Sequence, residues 1–83
     1  NVIETARRLI YVFNSEVDRA EENTIDLSPG AFDLKLRQIE TVRVVVDEIR
    51  RSHDIPRYKT EQLDSSLREL FGRLEAVRDG DTG

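Results

Sequence analysis

The chain has 83 residues, of which 37% are apolar and 36% are charged, and its formal net charge is −4. These values predict one small globular domain, exclude an intrinsically disordered chain, and argue against nucleic acid or an anionic membrane as the main partner. There is no cysteine, which excludes a disulfide framework and thiolate chemistry.

The segment carries no sequence signal for export or membrane insertion. No apolar run approaches the ~20 residues that cross a bilayer, and no charged-then-apolar leader opens the chain. We therefore expect an intracellular, cytoplasmic location. Since the first residue is Asn1 and not methionine, we also expect the chain to be part of a longer protein.

The first predicted helix covers residues 2 to about 23. Its apolar residues recur at helical spacing within an arc about 100° wide, which is typical of a helix with one buried face. The residues of this face are Val2, Ala6, Leu9, Ile10, Phe13, Val17 and Ala20.

The second predicted helix covers residues 29–53 and has a clear start signal. Ser28 suits the N-cap, Pro29 suits the first helical position, and Leu27 and Phe32 are spaced as a hydrophobic staple. The Ile55-Pro56 step disfavours helix beyond this point. The core positions of this helix are Phe32, Leu36, Ile39, Val42, Val46 and Ile49.

The third predicted helix covers residues 57–78, with Thr60 as the expected N-cap and Pro56 as an alternative start one turn earlier. Its apolar residues step by four and three, the spacing of a coiled-coil seam. Residues 79–83 are predicted to be a flexible tail. The seam consists of Leu63, Leu67, Leu70, Leu74 and Val77, with Phe71 beside it.

Three helices of similar length with short connections predict an all-α antiparallel three-helix bundle formed by a single helical domain, residues 1–78. The alternative is a helical hairpin whose third helix packs on a second copy in a dimer. In helix number and length the pattern resembles three-helix adaptor domains of BAG-type chaperone cofactors, of the amino-terminal parts of SNAREs and of spectrin-like repeats. That resemblance implies no site residue.

Charged residues are placed to support the helices. Several pairs put an acid four residues before a base, which stabilises a helix by about 0.2–0.5 kcal/mol for each pair. The pairs are Glu4 and Arg8, Asp33 and Arg37, Asp47 and Arg51, Asp64 and Arg68, and Glu69 and Arg73.

The sequence offers little for catalysis. His53 is the only histidine, and its position at the end of the second helix suits a C-terminal cap or a partly buried ring. Ser52-His53-Asp54 resembles the Ser-His-Glu of sensor-kinase dimerisation helices, which implies phosphotransfer as an alternative function, although the Arg-Thr-Pro that follows in that pattern is absent. We expect no enzyme activity, no metal site and no cofactor.

A second alternative is weak binding of nucleic acid by arginines. Arg43, Arg50, Arg51 and Arg57 could bind phosphates, but acids interleave with them and no aromatic residue is spaced among them for base stacking.

Surplus apolar residues carry the main functional prediction. Five residues fall outside or at the margin of the predicted core arcs, and we expect them to bind a partner. They are Tyr11, Val12, Leu34, Val44 and Val45. The predicted function is a non-enzymatic protein-interaction or oligomerisation module, whose partner is another protein or a second copy of the chain in a homodimer.

Overall fold

The computed structural model describes residues 2–23 and 28–80, which form an all-α three-helix bundle. The helices are α1 (Val2–Glu21), α2 (Pro29–Ser52) and α3 (Tyr58–Arg78). Each helix contacts both others, so α3 folds back onto its own chain. The predicted fold class is confirmed, and the helix bounds lie within two residues of the predicted ones at every end. None of these helices is long and apolar enough to cross a membrane.

The start of α2 is capped as its sequence predicts. Ser28 is extended, with φ −67° and ψ 159°, and its hydroxyl accepts a hydrogen bond from the Ala31 amide at 3.3 Å. Pro29 follows at the first helical position, where the missing N–H costs nothing. The predicted hydrophobic staple between Leu27 and Phe32 is not described, because Leu27 lies outside the described residues.

The end of α2 is closed by backbone hydrogen bonds. The Ile55 amide donates to the Arg50 carbonyl at 2.9 Å and the Asp54 amide donates to the Arg51 carbonyl at 3.4 Å. Asp54 has a φ of 51°, in the left-handed region. These features form a Schellman motif, in which the residue after the cap adopts a conformation that favours glycine. His53 is the C-cap, as expected, but its side chain is exposed and not partly buried.

The N-cap predicted for α3 is wrong. The helix begins at Tyr58, because the Lys59 and Thr60 amides already donate to the carbonyls of Pro56 and Arg57. Thr60 is therefore inside the helix, where it is buried and its hydroxyl donates to the Arg57 carbonyl at 3.3 Å. Arg57 occupies the N-cap position without a capping side-chain bond.

The core lies around α3. Its four seam leucines are buried, and α3 packs extensively on both other helices, whereas α1 and α2 contact each other much less. Burial of this kind supplies most of the stability of a small bundle. The buried apolar residues are Ala6, Phe13, Val17 and Ala20 of α1, Leu36, Ile39 and Val46 of α2, and Leu63, Leu67, Leu70 and Leu74 of α3.

Two residues predicted for the core of α1 are exposed. Val2 is 43% exposed and Leu9 is 38% exposed. Both lie at the edge of the buried arc of α1, on the side that carries Glu16. This side faces α2, because Glu16 pairs with Lys35 of α2. Since α1 and α2 contact each other little, that edge remains open.

Ion pairs between helices show the direction in which each helix runs. Arg78 of α3 pairs with Asp33 at the start of α2 at 3.3 Å, and Arg73 of α3 pairs with the last turn of α1. Successive helices therefore run antiparallel. The predicted pairs of Asp47 with Arg51 and Asp64 with Arg68 form. Among the described residues, the predicted pairs of Asp33 with Arg37 and of Glu69 with Arg73 do not form. Asp33 pairs with Arg78 of α3 instead, and Arg73 pairs with Asp18 and Glu21 of α1.

Candidate interaction surfaces

A bundle of three helices has three outer surfaces, one between each pair of helices. All five residues predicted to bind a partner are exposed, but they do not form one patch. Tyr11 lines a depression between α1 and α3, and Val44 lines one between α2 and α3, whereas Val12, Leu34 and Val45 line neither. Their role in binding remains a prediction.

The first surface, which we name the α1/α2 face, is apolar. Counting about 100° per residue, Leu9 and Val12 lie on the side of α1 that carries Glu16, and Leu34 and Val45 lie about three turns apart on one side of α2. The Glu16–Lys35 ion pair shows that this side of α1 faces α2. Leu34 and Val45 lie about 80–100° around α2 from Lys35, on the side away from α3. The face consists of Val2, Leu9, Val12, Leu34 and Val45, which are 38–58% exposed.

The antiparallel register orders these residues along the bundle. With Glu16 level with Lys35, a rise of about 1.5 Å per residue places Val45 between Val2 and Leu9, and Leu34 beyond Val12. The row therefore runs in the order Val2, Val45, Leu9, Val12 and Leu34 over about 20 Å.

The second surface is the groove between α1 and α3, where both tyrosines of the chain lie. Tyr11 of α1 is 76% exposed and Tyr58 of α3 is 72% exposed. Two adjoining depressions of about 340 and 440 Å³ share Arg7, Ile10 and Ser66, and one tyrosine lines each. No role for Tyr58 could be predicted from the sequence, because nothing in the local sequence shows that this residue lies beside α1.

The third surface, which we name the α2/α3 groove, is cationic. It is a depression of about 440 Å³ between the last turns of α2 and the first turns of α3. The groove brings together the four arginines considered above for phosphate binding, and a fifth arginine, Arg68 of α3, joins them. Three carboxylates lie among these arginines. Its charged residues are Arg43, Arg50, Arg51, Arg57 and Arg68 with Asp47, Glu61 and Asp64, and Val44 and Thr60 also line it.

Several of these charges are paired locally. Asp47 accepts hydrogen bonds from Arg50 at 3.2 Å and Arg51 at 2.8 Å, and the pair with Arg50 contributes most to holding the pKa of Asp47 below its ordinary value. Arg43 donates to Glu40 at 2.6 Å, which raises the pKa of Arg43. Such exposed pairs within one helix are weak. An incoming carboxylate could therefore share or replace these partners.

Arg57 is the exception in the groove. It has no ion-pair partner among the described residues, and its side chain is exposed. A cation at the N-terminus of a helix is disfavoured by the helix dipole, and arginine does not supply the oxygen that caps the first turn. The fold therefore gives no structural reason for an arginine at this position.

The structure describes residues in the ranges 2–23 and 28–80, and the histidine among them, His53, is exposed at the end of α2. No three histidine, aspartate or glutamate side chains there converge on a point suited to a metal ion. Comparison of the chain with protein-family models, with curated protein sequences and with solved structures finds no match.

Proposed function

We propose that this domain is a non-enzymatic interaction module that binds an amphipathic helix of another protein on the α1/α2 face. The observation that supports the proposal is the row of exposed apolar side chains on α1 and α2, the two helices that contact each other least. An exposed apolar surface bordered by polar residues is typical of a protein-binding site.

The form of the occupant follows from what the domain offers. The described backbone is almost entirely helical, so no strand edge is available to bind an extended segment. A partner can therefore contact only side chains of the domain and cannot pair with its backbone. This favours a partner helix that packs in the groove between two helices. A fourth helix with leucines along one side would cover the row from Val2 to Leu34 and would convert the bundle into a four-helix arrangement.

A matched pair of variants tests this binding. Val45 lies on the α1/α2 face, whereas its neighbour Val44 lies in the α2/α3 groove, and the two are exposed to nearly the same extent, 43% and 47%. We expect Val45→Glu to weaken binding of a fluorescein-labelled amphipathic leucine-rich peptide about tenfold or more, because the new carboxylate would be buried without a partner. Val44→Glu should change it less than about twofold.

The measurement is fluorescence anisotropy, with circular dichroism to verify helicity and light scattering to give the mass over a range of concentrations. Failure of the unaltered domain to bind the peptide, or equal losses in both variants, contradicts the proposal. A dimer that Val45→Glu dissociates would show that a second copy, and not another protein, occupies the face.

A further inference from the structure

The α2/α3 groove has a chemistry that the α1/α2 face lacks. Five arginines and three carboxylates line it, an excess of two positive charges in a chain whose formal net charge is −4. The rest of the molecule is therefore more acidic than the whole, and the groove differs from it in the sign of its net charge. Arginines bind carboxylates through paired N–H donors, with better geometry than lysines provide.

We propose that the α2/α3 groove binds an acidic segment of a partner protein. This site is independent of the α1/α2 face and of the function proposed for it. Charge complementarity gives the chemistry of the occupant: carboxylates set opposite Arg51, Arg57 and Arg68, with an apolar side chain against the exposed Val44.

Protein fits this groove better than nucleic acid. Asp47, Glu61 and Asp64 stand among the arginines, and they would repel a backbone that carries a negative charge on every phosphate. No aromatic residue lines the groove, so no base could stack there. A peptide can space its carboxylates to meet arginines and leave gaps opposite the acids.

Arg57 is the residue on which the inference depends most. It has no ion-pair partner among the described residues, and its positive charge lies at the N-terminal end of α3, where the helix dipole disfavours a cation. A residue that breaks a local rule of stability without a compensating contact is typical of a binding site. An incoming carboxylate would supply the missing partner.

This reasoning predicts that one substitution weakens binding without lowering stability. Arg57→Ser should weaken binding of a short fluorescein-labelled peptide of alternating glutamate and leucine at least about fivefold, because it removes a charge-assisted hydrogen bond. The same substitution should not lower the thermal midpoint, because Arg57 has no ion-pair partner among the described residues and its charge lies at the positive end of the helix dipole. A stability loss therefore cannot account for the weaker binding.

Arg37→Ser is the matched control, since Arg37 is exposed on α2, does not line the groove, and has no ion-pair partner among the described residues. It should leave binding within about twofold of the unaltered domain. Anisotropy titrations at low and high salt are compared for the peptide, for a single-stranded thymidine oligonucleotide and for inorganic phosphate. Binding of the peptide alone, weakened by salt and by Arg57→Ser, supports the inference.

Three results would overturn it: no binding of the peptide at low salt, equal losses for Arg57→Ser and Arg37→Ser, or binding of the oligonucleotide as tight as that of the peptide with the same dependence on Arg57. The last result would identify a general polyanion site instead of one for protein.

Discussion

Arg73 of α3 forms a two-point ion pair with Glu21, the last residue of α1: Nη2 lies 2.5 Å from Oε1 and Nε lies 3.1 Å from Oε2. The same guanidinium also donates to Asp18 at 2.6 Å and to the Asn14 side chain at 2.9 Å. These contacts, the bond to Glu21 foremost, raise the pKa of Arg73. One side chain thereby ties three residues of α1 to α3.

We expect Arg73→Gln to lower the free energy of unfolding by about 1 kcal/mol, because a two-point pair within a network is stronger than a single exposed pair. The loss should shrink at high salt, which screens exposed charges. Urea unfolding at low and high salt measures both effects. Arg68→Gln is the control, since its pair with Asp64 lies within one helix. If both variants lose the same stability, the link between helices contributes nothing extra.

The stability lost when a leucine is replaced by alanine should depend on how deeply that leucine is buried. Leu67 is fully buried in the centre of α3, whereas Leu34 is 58% exposed. We expect Leu67→Ala to cost about 3–5 kcal/mol, through lost burial and the cavity left behind, and Leu34→Ala to cost less than about 0.5 kcal/mol. Thermal unfolding followed by circular dichroism compares the two. A large loss for Leu34→Ala would mean that its side chain is covered in solution.

The Schellman motif at the end of α2 gives a stabilising substitution. Asp54 has a φ of 51°, where an L side chain is disfavoured and glycine is not. Asp54→Gly should therefore raise the free energy of unfolding by about 0.5–1 kcal/mol, and Asp54→Val should lower it because a β-branched side chain tolerates this conformation poorly. Denaturant unfolding midpoints for the two variants should lie on opposite sides of the unaltered value. Stabilisation by valine would contradict a left-handed Asp54.

Stability should fall in acid partly through Asp47. The hydrogen bond from Arg50 is the main reason why the pKa of Asp47 lies below its ordinary value of 3.8. A carboxylate whose pKa is lower in the folded state stabilises the protein above its unfolded pKa and loses that effect as the pH falls through the folded value. NMR titration should place the midpoint of Asp47 below 3.8. Asp47→Asn should make stability less dependent on pH in this range, and an unchanged dependence would contradict the pairing.

Local features of the fold could be predicted from the sequence, because their partners lie within one turn. Ser28 caps α2 through an amide three residues away, so the spacing alone indicates the bond. Features that depend on how the helices pack against each other could not be predicted from the sequence. Arg73 has Glu69 four residues before it, yet it binds Asp18 and Glu21 of another helix, because the relative position of α1 and α3 is set by core packing.

The same limit applies to the candidate sites. The exposure of Val44 and Val45 follows from their angles on α2, but the surfaces to which they belong depend on where α1 and α3 pack. Likewise, Arg68 joins the other groove arginines only once α3 lies against α2. Thr60 was assigned to a helix end from its residue type, whereas the local backbone bonds begin the helix at Tyr58.

The central position of α3 has a consequence for synthesis on the ribosome. The first two helices emerge before α3, yet the contact between them is the smallest in the bundle. Before α3 is released, the leucines that cover the apolar surfaces of α1 and α2 are not yet in place, and exposed surfaces of this kind bind chaperones or aggregate. Cooperative folding of the nascent chain should therefore begin only after the last leucines of α3 have left the exit tunnel.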